Sequence, residues 1–192
     1  MIIKIISWTV PFALGLASTF IVDGIRKYYK RKKDKEFVVH YLENSILKIL
    51  PKLKETYSYV IENIEALGLG KHTTEAFEDF NSNVLRGITY TDYYLMFTKR
   101  NKKDFIQLVE IIAMIDFLRQ QLPSKVNNDY FATIDNHLLE TRNRGDKIHI
   151  QNCEFCKAEK ESVIAIINAT INSVEILQGK VEQIIKSNQY RN

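Results

Sequence analysis

Residues 5–22, IISWTVPFALGLASTFIV, form an apolar run of eighteen residues without an ionisable side chain. A helix from Ile2 to Ile25 would be about 36 Å long at ~1.5 Å per residue, which is enough to cross a hydrocarbon core of ~30 Å with some tilt. Trp8 lies near one end of the run, and Tyr28 and Tyr29 follow the other, as in interfacial aromatic belts. We therefore predict that residues 1–25 form a single transmembrane anchor.

A block of cations, here called the collar and comprising residues 26–35, follows the anchor directly. Its basic residues are Arg26, Lys27, Lys30, Arg31, Lys32, Lys33 and Lys35. Only Lys4 precedes the apolar run, and the side of a span that carries more lysine and arginine faces the cytoplasm. We therefore expect a single-pass protein of the cell membrane with a cytoplasmic C-terminal domain, whose collar binds anionic lipid.

A cleaved signal peptide is the main alternative to an anchor, because Gly15-Leu16-Ala17 resembles a processing site. Three features favour retention. The segment before the apolar run has a single charge, the run continues through Phe20-Ile21-Val22, and a polybasic block resists export. We predict that the segment is retained.

The net charge of +4 is unevenly distributed along the chain. Residues 1–25 contain one lysine and one aspartate, and the collar contains seven cations and one aspartate, so residues 36–192 carry a net charge of −2. A domain that binds duplex nucleic acid usually has a basic surface. The slightly acidic body argues against nucleic acid as a partner unless the protein has the nuclease activity considered below.

Few glycines and prolines, with abundant leucine, isoleucine, glutamate and lysine, favour an all-helical chain. Residues 36–192 are enough for one domain with a core of ordinary size. We predict an all-α protein in which the anchor leads into a cytoplasmic antiparallel bundle of about five helices. The two cysteines are expected to be reduced in the cytoplasm, so no disulfide framework is predicted.

The first bundle helix, over residues 37–67, has a stripe of apolar residues at helical spacing with one stutter. The stripe comprises Val39, Leu42, Ile46, Ile49, Leu53, Tyr57, Val60, Ile64 and Leu67. Pro51 removes a hydrogen bond and is expected to kink the helix near Leu47. Because a long apolar stripe invites a partner helix, we predict that residues 37–67 mediate self-association or bind another protein.

Four further helices are predicted beyond Gly70. The first starts with a cap at Thr73 or Thr74 and continues to about Leu95, with a weak point near Gly87. The others are expected after Asn101, from about Lys125 to Thr141, and from about Asn152 to Ser187. Residues 142–147 are polar and include a glycine, which indicates a turn.

Cys153 and Cys156 lie one helical turn apart, with His149 and His137 earlier in the chain. A structural zinc site needs four ligands, and its usual signal is a second paired unit, which this sequence lacks. We interpret the cysteines as small apolar residues that pack the last helix, and we predict no metal and no cofactor. A zinc site and a reactive thiol pair are the alternatives.

The segment from Arg142 to His149 suggests one enzymatic alternative. With Asn143 after Arg142, and with six residues between Arg142 and His149 or four between Arg144 and His149, it resembles the Arg-x4–6-His motif of the HEPN superfamily. Members of that superfamily are small helical bundles, and many are metal-independent ribonucleases. The resemblance implies that His149 acts as a general acid or base and that Arg142 or Arg144 holds the scissile phosphate.

The sequence contains no phosphate-binding glycine loop, nucleophile elbow or paired metal-ligand motif. We therefore expect a protein that acts through protein–protein contacts, as a scaffold, adaptor or regulatory subunit at the membrane. The alternatives are a membrane-tethered HEPN-like ribonuclease or toxin effector, and a pore-forming protein that oligomerises through residues 5–22.

Overall fold

The computed structural model describes residues 2–67, 77, 80–97, 102–142 and 147–189, with side chains for those between residues 18 and 188. The elements in these ranges are helical, and no strand occurs there. They are α1 (Ile2–Tyr41), a π-helical turn (Leu42–Ile46), α2 (Leu47–Glu65), α3 (Asn83–Arg86), α4 (Tyr90–Phe97), α5 (Lys102–Gln120), α6 (Pro123–Glu140), α7 (Lys147–Asn152) and α8 (Glu154–Gln189). The predicted all-α class is confirmed.

The chain is helical from Ile2 through Glu65, with one departure from α-helical geometry. In the π turn the backbone N–H of Leu47 donates to the carbonyl of Leu42, five residues earlier. This turn lies just ahead of Pro51, which cannot donate to the carbonyl of Leu47. The chain thus has a wider, π-helical turn about one helical turn before the proline, and the kink predicted near Leu47 stays a prediction.

The π turn changes which residues of the first bundle helix face inward. The fully buried positions are Val38, Leu42, Ile46, Leu50, Leu53, Tyr57, Val60 and Ile64. From Val38 to Leu50 these positions are spaced by four three times in succession, and on a regular α-helix such a stripe would drift around the helix. The π turn contains one extra residue, which keeps the buried positions on one side. Val39 and Ile49, which belong to the predicted apolar stripe, are half-buried and pack against the edge of the core.

Helix α8 lies at the centre of the bundle and packs against α1, α2, α5, α6, α7 and the π turn. Its buried residues recur at spacings of three and four: Ile167, Thr170, Val174, Leu177, Val181 and Ile184. One hydrogen bond and one ion pair show its direction relative to α5. The Ser187 hydroxyl donates to Asp104 Oδ2 at 3.2 Å, and Lys180 Nζ lies 2.6 Å from Glu110 Oε2, so α5 and α8 run antiparallel.

Within the residues whose side chains are described, the helix long and apolar enough to span a membrane is Glu154–Asn188 of α8. Its buried side packs in the bundle core, and its exposed side includes Asn168, Asn172 and Glu175. We interpret it as the core helix of the bundle for that reason. The membrane anchor over residues 1–25, and the division at residues 26–35 and 36–192, stay predictions.

The remaining helices follow the sequence pattern with shifted ends. The predicted weak point is present, because α3 ends before Gly87 and α4 begins at Tyr90. Helix α6 starts at Pro123, where proline is favoured because the first helical N–H has no partner. The short helix α7 was not predicted. The predicted caps at Thr73, Thr74 and Asn101 lie outside the described residues.

Candidate functional site

The collar lies in α1, just before the first core residue of the bundle, Val38. Its cations are exposed apart from Arg31 and Lys35, which are half-buried. Arg31 Nε lies 3.8 Å from Asp92 Oδ1, and Lys35 Nζ lies 5.2 Å from the centroid of the Phe97 ring. These two residues attach α4 to α1, and because both pairs advance together along the chain, the two helices run in the same direction. The other five cations of the collar are exposed, and Lys32 lies 3.9 Å from Glu36 Oε1.

The apolar stripe of the first bundle helix packs against other helices of the same chain. Its core residues, from Val38 to Ile64, have no exposed surface and pack against α8 and α6. The Tyr57 hydroxyl donates to the Gln121 carbonyl, and Lys54 pairs with Glu175 of α8. The stripe that motivated a partner contact through residues 37–67 is therefore covered by the protein's own helices.

The residues of the HEPN-like motif are placed differently from one another. Arg142 follows the end of α6, is exposed and has a positive φ of 58°. Arg144 lies outside the described residues. His149 is half-buried on α7, and its Nε2 lies 3.4 Å from Nε2 of His137. Within the described ranges no hydrogen bond or ion pair joins Arg142 to His149, and the ribonuclease hypothesis stays a prediction.

His149 belongs instead to a cluster of four side chains, which we call the His/Cys cluster: His137, His149, Cys153 and Cys156. One nitrogen or sulfur atom from each lies within 4.8 Å of the corresponding atom of every other. Cys153 Sγ lies 3.3 Å from His137 Nε2. Cys156 is buried, and the other three are half-buried. The sequence interpretation of the cysteines as packing residues accounts for Cys156 but not for the convergence of the other three.

Four pieces of local structure build this cluster. His137 lies in the last turn of α6, and His149 lies on α7. Cys153 occupies the single residue between α7 and α8, where its N–H donates to the His149 carbonyl at 2.8 Å. Cys156 lies in the first turn of α8. The Phe155 ring stacks on His137, with centroids 4.4 Å apart and an interplanar angle of 27°.

The two thiols have different electrostatic environments. The pKa of Cys153 is lowered, chiefly because the backbone N–H of Cys156 hydrogen-bonds its sulfur, with the N–H of Phe155 contributing. These N–H groups belong to the start of α8, where the helix dipole favours negative charge. Burial raises the pKa of Cys156 to about 11, with further contributions from Cys153 beside it. The cluster thus contains one sulfur that accepts hydrogen bonds from backbone N–H groups, that of Cys153, and one that is buried, that of Cys156.

Sequence reasoning named these four residues but kept a zinc site only as an alternative, because they do not form two paired units. The spacing His149-x3-Cys153-x2-Cys156 was visible in the sequence. The fourth member, His137, is separated from the others by the end of α6 and the following loop. Only the antiparallel packing of α6 on α8 brings it to the same point.

The comparisons with known proteins give no further guide to the site. No protein-family model, no curated protein and no solved structure matches the chain.

Proposed function

We propose that the protein is a membrane-anchored helical bundle that acts through protein–protein contacts at the cytoplasmic face of the cell membrane. The observation that carries the proposal is the continuity of α1. One helix, Ile2–Tyr41, contains the uncharged run, the collar and the first core residue of the bundle, Val38. A helix inserted through residues 1–25 would hold the bundle at the membrane surface without a flexible linker.

The collar supports contact with anionic lipid in this arrangement. Arg26, Lys27, Lys30, Lys32 and Lys33 are exposed on α1. Tyr28 and Tyr29 are also exposed, where their rings could lie at headgroup depth. Each cation near an anionic surface contributes about 1 kcal/mol.

The partner we propose is a second copy of the chain, bound through the exposed side of α8. Residues 162–174 contain no charged side chain, although charged residues make up 26% of the chain. Ile166 and Ile176 are each 47% exposed, and Ala169 and Ser173 lie between them on the same side of the helix. We place self-association here because the stripe within residues 37–67 is buried by the chain itself. An uncharged surface can face its own copy without like-charge repulsion.

Membrane anchoring strengthens the case for a second copy over another partner. Anchored copies share one orientation and diffuse in one plane, which raises their effective concentration. A modest contact surface on α8 would then suffice for association.

Sedimentation of the full chain in detergent, together with cross-linking in membranes, tests the proposal. We expect wild type to form a dimer and Ile166→Glu/Ile176→Glu to be monomeric while retaining its helical circular dichroism. Asn168→Glu places a charge on another exposed side of α8 and is expected to leave the dimer intact. A monomeric wild-type chain in membranes, or a dimer unaffected by the double substitution, would contradict the proposal, as would recovery in the soluble fraction.

A further inference from the structure

We propose that the His/Cys cluster is a structural zinc site in which His137, His149, Cys153 and Cys156 coordinate one Zn²⁺ ion. The site would join the end of α6 to the junction of α7 and α8. The inference goes beyond the proposed function and does not depend on it, because these residues would bind zinc whether or not the chain is anchored in a membrane.

The distances between the donor atoms agree with tetrahedral coordination. With Zn–N of about 2.05 Å and Zn–S of about 2.3 Å, two nitrogens of one tetrahedron lie about 3.3 Å apart, and a nitrogen and a sulfur about 3.6 Å apart. The Nε2 atoms of His137 and His149 are 3.4 Å apart, and Cys153 Sγ is 3.3 Å from His137 Nε2. All four donor atoms lie within 4.8 Å of one another, so small movements of these side chains would bring each donor to bonding distance from one central ion.

The donor set selects zinc by its chemistry. Two imidazole nitrogens and two thiolate sulfurs in a tetrahedral arrangement suit Zn²⁺, whereas Mg²⁺ and Ca²⁺ prefer oxygen ligands. Four protein ligands leave no position for a water molecule or a substrate, which is the pattern of a structural site. We therefore assign the ion a role in holding the fold and no catalytic role.

Contacts with neighbouring groups orient two of the side chains that would bind the ion. The N–H groups of Phe155 and Cys156 point to the Cys153 sulfur, as outer-shell donors do in thiolate metal sites. Phe155 stacks on the His137 ring and restricts its rotation. These contacts orient two of the four ligands before any ion binds.

A disulfide between the two cysteines would explain why the cysteines are close together but not why the two histidines join them. A disulfide or a reactive thiol pair requires Cys153 and Cys156 alone. Neither accounts for two histidines from separate helices whose Nε2 atoms lie 3.4 Å apart, with His137 Nε2 also 3.3 Å from Cys153 Sγ. A hydrogen bond between the two Nε2 atoms requires one imidazole to donate and the other to accept, whereas a shared cation can be bound by both nitrogens at once.

The position of the cluster in the bundle gives the ion a structural task. Ser187 of α8 lies beside Asp104 at the start of α5, and α4, which precedes α5, packs on the collar through Arg31 and Lys35. The carboxyl end of α8 therefore lies near the collar, and its amino end, with Cys156, lies at the opposite end of the bundle. The ion would fasten the central helix at this far end, where α7 has no buried residue of its own.

Metal analysis of the full chain, purified in detergent under reducing conditions, tests the site. We expect one zinc per chain by plasma mass spectrometry. Replacement with Co²⁺ should give the visible bands of tetrahedral cobalt and a thiolate-to-cobalt charge-transfer band in the near ultraviolet. Cys153→Ser and His137→Ala should weaken zinc binding by more than about 100-fold, since loss of an outer-shell contact alone costs 10–100-fold. His40→Ala removes an exposed histidine of α1 and should bind zinc like wild type.

A second variant keeps the test decisive if loss of a ligand unfolds the chain. His149→Cys preserves four donors, so it should retain stoichiometric metal and give a stronger thiolate-to-cobalt band than wild type. Absence of zinc and of tetrahedral cobalt from the reduced wild-type chain would overturn the proposal. Wild-type zinc affinity in Cys153→Ser, or a Cys153–Cys156 disulfide in protein isolated with thiols blocked at lysis, would overturn it too.

Discussion

At the collar end of the bundle, seven basic side chains are neighbours in the sequence and five of them are exposed on one helix. At the opposite end, four side chains spread over residues 137–156 and over three helices meet within 4.8 Å. The collar needs only a helix to present its charges, whereas the His/Cys cluster needs the antiparallel packing of α6 on α8. The collar should therefore tolerate loss of tertiary structure, and the cluster should not.

The largest expected effect follows removal of the metal. We expect the end of the bundle that contains the His/Cys cluster to lose order and the collar end to stay unchanged. Treating the full chain with a strong zinc chelator should raise amide exchange at the end of α6, in α7 and in the first turns of α8 by at least about tenfold. Exchange in residues 26–41 and in α4 should not change. Hydrogen-exchange mass spectrometry measures both regions in one sample. An equal change in amide exchange at the two ends, or no change at either end, would contradict the expected difference between the cluster and the collar.

A core substitution in α8 should affect both ends together, because this helix connects them. Leu177→Ala deletes a fully buried side chain, and we expect it to lower the free energy of unfolding by about 2–5 kcal/mol. Asn172→Ala changes an exposed residue of the same helix and should stay within about 0.5 kcal/mol of wild type. Chemical denaturation followed by circular dichroism measures both variants. A loss below 1 kcal/mol for Leu177→Ala would show that α8 does not carry the core.

The smallest expected effect concerns lipid preference at the collar. Lys30→Gln/Lys33→Gln removes two exposed cations and should lower selectivity for anionic over zwitterionic lipid by up to about 1 kcal/mol per charge. Spin-labelled lipids around the reconstituted full chain report this selectivity. Lys48→Gln/Lys52→Gln makes the same charge change on α2 and should have no effect. Equal effects from the two pairs would show that net charge matters and the position of the collar does not.

Much of the fold was predictable from local patterns. Composition indicated the all-α class, and apolar spacing placed α5, α6 and α8 to within a few residues of their observed ends. Spacing did not distinguish the fully buried Val38 and Leu50 from the half-buried Val39 and Ile49, because the pattern alone does not locate a π turn. The helix α7 was missed because its six residues bury no side chain and give no periodic signal.

The sequence by itself determined the uncharged run, the collar next to it and the helical character of the chain, because these features depend on composition and on neighbours within a turn or two. Tertiary structure decided two other matters. It covered the apolar stripe of residues 37–67 with α8 and α6, and it brought His137 to His149, Cys153 and Cys156. The physical reason is the same in both cases. Which faces pair, and which distant side chains meet, depends on how helices pack across the whole bundle, and no short stretch of sequence contains that information.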